Sequence, residues 1–465
     1  VTPVAKAKSI FRCSGCGHQV AKWFGRCPEC GEWGTISESA PAAVAARTGT
    51  ASVAPSSPAV RITTVRSDAA TATPTGIAEF DRVLGRGVVP GSVILLAGEP
   101  GVGKSTLLLE TVKHWATQGK TALYVTGEES AGQVRLRAER TDAVHENIFL
   151  ASETDLATVL GHVEEVSPTL MIVDSVQTMV ATGTDGVTGG VTQIRAVTTA
   201  LVSLAKTSGI AIILVGHVTK DGNVAGPRSL EHLVDVVLAF EGDRHSSLRM
   251  VRGIKNRFGP SDEVGCFEQR ADGIHQVTDP SGIFVHHHQS DVPGSAALVA
   301  MDGRRAMVGQ IQALLNDTQM TSPRRAVSGL DSARVAMMLA VAEKHAGIGA
   351  SKKEVYASTV GGMKVTEPAA DLAIFLALYS SHKDVPIPSS TVAIGEVGLA
   401  GEIRRVSSIA RRVAEAKRLG FDHAIVPAGS DEELPRGIRV SRATNLLEAW
   451  EAAASSTREL ADAPF

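Results

Sequence analysis

The segment Gly98-Glu99-Pro100-Gly101-Val102-Gly103-Lys104-Ser105-Thr106 contains the spacing G-x-x-x-x-G-K-[ST] and lies between an apolar run at 93–97 and a helix-like stretch at 107–115. Glycines so placed let the backbone curl until successive N–H groups face a phosphate at a helix N-terminus. In that geometry Lys104 offers a point charge to the β- and γ-phosphates and Ser105 a hydroxyl to Mg²⁺. The pattern predicts a site for a nucleoside triphosphate with Mg²⁺, and for ATP if the chain is an ATPase. Two downstream acidic places could finish it. Leu170-Met171-Ile172-Val173-Asp174 is an apolar run closed by an acid, and Asp174 is expected to hold the Mg²⁺ through water. Gly127-Glu128-Glu129-Ser130 presents two carboxylates where one is needed to polarise the attacking water. Glu128 is the expected base and Glu129 the expected acid at a helix N-terminus.

A second cluster of reactive side chains stands at the start of the chain, where four of the five cysteines fall within the first thirty residues. Cys13-x-x-Cys16 and Cys27-x-x-Cys30, followed by Gly17 and Gly31, have the pair spacing of a tetrahedral zinc site. In a reducing compartment zinc is favoured over disulfides. So short a segment has little core of its own, and the metal would supply most of its folding free energy. Lys6, Lys8, Arg12, Lys22 and Arg26 outnumber Glu29 and Glu32 there, with Trp23, Phe24 and Trp33 interleaved. Such rings either stack on the bases of single-stranded nucleic acid or pack the small zinc domain. Cys266, flanked by apolar residues, reads as a buried core thiol.

These residues need elements to hold them. Alternating strand-like and helix-like segments from residue 60 to 284 predict a largely parallel sheet, with strands at 93–97, 121–126, 169–173, 210–215, 234–240 and 248–255. Before it, residues 36–59 are rich in Ala, Ser, Thr and Pro and read as a flexible linker after a zinc finger at 1–35. After it, 285–465 form a further domain with helices at 332–345, 368–380 and 407–419 and a strand at 391–399. The run His286–His288 reads as a surface feature.

The four-cysteine finger, the loop 98–105, the acidic turn after Tyr124-Val125-Thr126, the strand ending Val173-Asp174-Ser175, and above all Lys255-Asn256-Arg257-Phe258-Gly259 resemble the RadA (Sms) family of bacterial DNA-repair ATPases. The resemblance covers essentially the whole chain. It implies a RecA-like P-loop ATPase core working as a homohexameric ring on single-stranded and branched DNA, with a RecA-type recombinase as partner. It implies that Lys255 and Arg257 reach into a neighbour's site as arginine fingers do. It also places His217 where γ-phosphate state is coupled to a DNA loop, and makes Lys220 and Arg228, with Arg195 behind them, phosphate contacts of the two channel loops 181–195 and 220–228.

The C-terminal domain resembles the proteolytic domain of Lon proteases, an α+β fold whose Ser-Lys dyad cleaves peptides. Here Ala369 stands at the serine position and Ala410 at the lysine position, and alanine can neither attack a carbonyl nor accept a proton. A scaffold is expected in place of a protease, with Arg404, Arg405, Arg411 and Arg412 as candidate DNA contacts. Three function classes stay in view: a DNA-stimulated motor that processes or branch-migrates recombination intermediates, a non-motor ATP switch, and an ATP-dependent protease, which the two alanines oppose.

Composition agrees with a soluble enzyme. At 465 residues, 43% hydrophobic and 20% charged, the chain has room for two or three domains of about 100–200 residues. A net charge of −3 confines any nucleic-acid contact to local patches. No segment approaches the roughly 18 apolar residues of a membrane span, so a cytoplasmic protein with no membrane partner is expected.

Overall fold

Six apolar runs, Val93–Gly98, Ala122–Thr126, Ile148–Ser152, Leu170–Asp174, Ala211–His217 and Val236–Gly242, pair in parallel and form most of a nine-stranded sheet. Period-two side chains fill both faces. Ile94, Leu96, Ile172 and Ile213 pack under the helices Ala78–Leu84 and Lys104–Thr117 on one side. Val93, Leu95, Val173 and Leu214 pack under Leu156–Val166 and Val191–Ser208 on the other. Burial on both faces is why these strands read as continuous apolar runs.

In space the order runs Gly273–Gln276, Val264–Arg270, Leu248–Asn256, Val236–Gly242, Val93–Gly98, Ala211–His217, Leu170–Asp174, Ala122–Thr126, Ile148–Ser152. The first three are antiparallel. The strands at 148–152, 264–270 and 273–276 are additions to the sequence reading. The strand Ile148–Ser152 is at an edge and half exposed, so its burial pattern lacks the clean alternation that marks a strand.

The computed structural model describes residues 10–14, 16, 18–20, 22–39, 60–64, 71–217, 227–242, 247–281 and 291–461. These belong to two units, Val1–Ser67 and Asp68–Phe465. The first holds a three-stranded antiparallel sheet of Ile10–Cys13 between Gln19–Val20 and Ile36–Ser39.

The C-terminal part of the larger unit is built on a seven-stranded mixed sheet whose long hairpin is Ser295–Asp302 and Arg305–Asp317. The helix Asp371–Lys383 crosses it, and its core includes Leu248, Val264 and Cys266 from the antiparallel edge of the first sheet. Cys266 is fully buried, and burial pushes its thiol up to about 11.

Two expectations for this region are corrected. The strand expected at 391–399 is broken: Thr391–Ala393 joins the seven-stranded sheet, while Glu396–Val397 pairs separately with Ile403–Arg404. Arg412 is not a surface contact. It stands on the inward stripe of the helix Ile409–Arg418 with Ile409, Val413 and Ala416, is 1% exposed, and forks onto Glu367 at 2.7 and 2.8 Å. Breaking such a buried pair costs about 3–5 kcal/mol, so the arginine serves the fold.

Candidate active site and zinc site

The phosphate loop leaves the strand Val93–Gly98 and enters the helix Lys104–Thr117 through Gly101 and Gly103, both at positive φ (79° and 111°). An L side chain would be strained at either place. Lys104 is 4% exposed, and its Nζ donates to the carbonyls of Gly98 (2.8 Å) and Glu99 (2.9 Å). Burial lowers its pKa, while the nearby carboxylates of Asp174 and Glu128 act to raise it. Ser105 and Thr106 follow in the first turn of the helix.

Around Lys104 the carboxyl ends of three neighbouring strands converge. His217 closes Ala211–His217, with Nδ1 3.3 Å from Lys104 Nζ and Nε2 2.9 Å from Glu128 Oε1. An ammonium can only donate, so Nδ1 accepts from Lys104 and Nε2 carries the proton toward Glu128. The Ser175 hydroxyl donates to the same Glu128 oxygen at 2.5 Å. Asp174 ends its strand across from Thr126, and the buried Tyr124 hydroxyl donates to its Oδ2 at 2.7 Å. Burial, then the Asp174 charge, raise the Tyr124 pKa well above its usual value. Lys104, Glu128, Asp174 and His217 therefore meet. Glu129 turns away, paired with Arg137 of the helix Ala131–Arg140, which Ser130 caps.

Tyr124 and Ser175 were named in the sequence only within the motifs, with no role of their own. A signal existed for the first: a tyrosine inside a fully buried strand needs a partner for its hydroxyl, and the strand beside it ends in Asp174.

Lys255 and Arg257 stand elsewhere. The strand Leu248–Asn256 runs antiparallel to Val236–Gly242, so its end lies at the amino ends of the parallel strands. Lys255 Nζ donates to the carbonyls of Glu231 (2.6 Å) and Val234 (2.8 Å), and Arg257 donates to Asp235 Oδ1 at 3.0 Å. Asp235 Oδ2 accepts from Val93 N–H at 3.0 Å and Lys206 Nζ at 2.7 Å. Burial acts to raise the Asp235 carboxyl, but Lys206, the Val93 N–H and Arg257 outweigh it and hold it below the usual range. From Val93 to Gly98 is about 17 Å at about 3.3 Å per residue, so Arg257 is a sheet's length from its own phosphate loop. Asn256 Nδ2 donates to the carbonyls of Val83 and Leu84, Phe258 is 40% exposed, and Gly259 packs against Gly85.

Of the residues expected on two DNA loops, the structure describes only some. Lys220 and His286–His288 lie outside the described residues, as does the Arg228 side chain; the Arg228 backbone is in the short helix Pro227–Leu230. Arg195 is exposed on the helix Val191–Ser208, which takes in the end of the segment expected as a loop. In the C-terminal domain Ala369 is 3% exposed, and the N–H of Ala410 donates to Glu432.

In the smaller unit the Sγ atoms of Cys13, Cys16, Cys27 and Cys30 all lie within 4.8 Å of one another. Cys13 to Cys30 and Cys16 to Cys27 are each 3.6 Å. Sulfurs about 2.3 Å from a tetrahedral zinc stand about 3.8 Å apart, so the set fits a structural zinc. Gly31, at φ 76°, turns the second knuckle. Trp23 (62%), Phe24 (49%) and Trp33 (75%) are largely exposed, although the Trp23 indole donates to Ile36 O at 3.0 Å and Arg26 lies over the Trp33 ring. The expected zinc content is one per chain, and Cys27→Ser or chelation should release it while leaving the ATPase melting transition in place. Elemental analysis of fresh protein would check this, and a ratio near zero would refute the assignment.

A phosphate loop opening onto two acids at the carboxyl ends of a parallel sheet defines a P-loop ATP hydrolase, joined here to a zinc ribbon. Family models agree: a rubredoxin metal-binding domain matches residues 11–38, an AAA domain 60–223, and the subunit ChlI of Mg-chelatase 358–430. Over 464 residues the chain is 55% identical to the DNA repair protein RadA of Mycolicibacterium smegmatis, covering 98% of each. It is 56% identical to that of Mycobacterium tuberculosis H37Rv (96% and 94% covered) and 42% to that of Bacillus subtilis (96% and 98%). The chain belongs to the RadA family. Among its described residues no helix is long and apolar enough to cross a membrane.

Proposed function

We propose that the chain is a DNA-dependent ATPase of cytoplasmic recombinational repair, working as a homohexameric ring that processes or branch-migrates recombination intermediates. One observation carries the ring: Lys255 and Arg257 occupy the end of the sheet opposite Lys104, where they serve catalysis only if another copy's phosphate loop is brought to them. The exposed rings of the zinc ribbon beside Lys22 and Arg26 support single-stranded and branched DNA as the track, and a RecA-type recombinase is the proposed partner.

In the proposed mechanism Lys104 exchanges its bonds to Gly98 and Glu99 for the β- and γ-phosphates. Ser105, and Asp174 through water, would hold Mg²⁺, which when bound would supply charge neutralisation to the phosphates. Tyr124 fixes one Asp174 oxygen and leaves Oδ1 for this role. Glu128 orients and deprotonates the attacking water, steadied by Ser175 and His217. His217 touches both Lys104 and Glu128 at the end of the strand Ala211–His217, so phosphate entry is felt there first. Lys255 and Arg257 of the neighbouring copy stabilise the charge on the γ-phosphoryl.

ATP turnover with and without single-stranded DNA tests this reading. Stimulation is expected in the wild type, and Lys104→Ala should abolish turnover in both conditions. That variant also leaves two carbonyls without a buried donor, a stability cost of about 1–3 kcal/mol. Unstimulated wild-type turnover would favour an ATP switch over a motor. Wild-type-like turnover in the variant would remove the ATPase assignment.

A further inference from the structure

The loop 254–261, which carries Lys255–Gly259, is closed at its base by a pair of backbone bonds: Gly253 N–H to Glu263 O and Asp262 N–H to Gly253 O, each 2.9 Å. A register shift between Gly253 and Lys255 bulges the strand just before the motif. Bulges re-aim the side chains that follow them.

Into this base is plugged the tip of the C-terminal domain's long hairpin, Asp302-Gly303-Arg304-Arg305. Arg304 N–H donates to Asp262 O at 2.8 Å, and its guanidinium lies 3.4 Å from Glu263. Asp302 pairs with Arg252 at 2.5 Å. Gly303, at φ 58°, sits so close that a Cβ there would stand 2.1 Å from Asp262 O. Arg305, 8% exposed, donates to Val264 O at 3.1 Å and pairs with the buried Glu79, which heads the helix Ala78–Leu84. The far end of that helix holds the motif from the other side through Asn256 and the Gly85–Gly259 contact.

We infer that the hairpin tip 302–305 is a positioning element for Arg257, by which the protease-like domain sets the geometry of the neighbouring copy's ATP site. This rests on the trans reading of Arg257. A finger on a surface loop must be ordered before it can act, and misplacement of a catalytic group by about 1 Å costs on the order of 10² in rate. The clamp touches the base of the loop; through Arg252, Ala239 and Ala97 it stands level with the carboxyl end of the phosphate-loop strand but two strands to the side, and none of these contacts reaches residues 98–106. A domain that has lost both dyad residues keeps in this way a part in nucleotide hydrolysis.

The test uses the full-length chain carrying Gly303→Ala, Asp302→Ala or Arg304→Ala. Binding of a fluorescent ATP analogue and steady-state turnover are measured, alone and in subunit mixtures. The expected result is kcat lower by roughly 10–10² with ATP affinity within about twofold. Mixing with Glu128→Gln chains, which carry an intact clamp and finger, should restore turnover. Mixing with Arg257→Ala chains should not, because both then lack a working finger. Should Gly303→Ala fail to fold, Arg304→Ala, a half-exposed side chain bonded to Glu263, carries the test. Wild-type turnover in the clamp variants while Arg257→Ala is slow would overturn the inference and spare the trans reading. Full activity in Arg257→Ala would sink both. Weakened ATP binding in the clamp variants, or restoration by Arg257→Ala chains, would mean that the clamp acts on its own chain's site, which also overturns it.

Discussion

Arg257→Ala is expected to bind ATP as the wild type does and to hydrolyse it at least about 10³-fold more slowly, the loss that follows removal of an arginine finger. Binding should survive because Arg257 is a sheet's length from its own phosphate loop. Its side chain is 54% exposed, and the buried Asp235 that it binds keeps Lys206 and the Val93 N–H, so its removal should cost about 1 kcal/mol. Mixing Arg257→Ala with Glu128→Gln chains should return part of the activity. In such a mixture some interfaces join an intact Glu128 site to an intact Arg257. If subunits demonstrably exchange and the mixture stays as slow as either variant alone, the shared-site reading loses its support. Lys255 and Arg257 would then be braces for the Glu231–Asp235 turn, whose carbonyls and carboxylate they already hold.

Glu128→Gln should show the second large effect: ATP bound normally, turnover down by about 10²–10⁴, the usual worth of a positioned general base. An amide keeps the shape and can still bond Ser175 and His217, but it cannot take a proton. Glu129→Gln is the control. Glu129 is bound to Arg137 and points away from Lys104, so its loss should leave turnover near wild type and stability lower by about 0–1 kcal/mol. Single-turnover hydrolysis of both variants separates the two acids. A slow Glu129→Gln beside a fast Glu128→Gln would reverse the assignment.

The chemistry of this chain was legible where it is encoded locally. A phosphate loop is a short backbone curl, and the glycines at 101 and 103 and the lysine at 104 specify it within one strand-to-helix turn. The two cysteine pairs are equally local, each a tight knuckle, and their spacing alone predicted four sulfurs that meet. The parallel strands announced themselves because burial on both faces leaves unbroken apolar runs, and the acids that close them fell at the ligand-binding ends.

What sequence left open depends on partners far along the chain. Arg412 looked like one of several surface arginines, although its i+3 spacing from Ile409 put it on the inward stripe; only Glu367, reached through tertiary folding, makes an inward charge tolerable. Glu128 and Glu129 are adjacent and chemically alike, and their separation was decided by Ser175 and His217 on two other strands and by Arg137 on the next helix. The stretch 391–399 is interrupted by Gly395-Glu396, where the break falls, but its partners and not its composition determine which sheet each half joins. The place of Lys255 and Arg257 was likewise set by strand direction. A motif states which groups are present, but antiparallel pairing with Val236–Gly242 carried these two to the end of the sheet opposite Lys104, where in this chain they meet the Glu231–Asp235 turn.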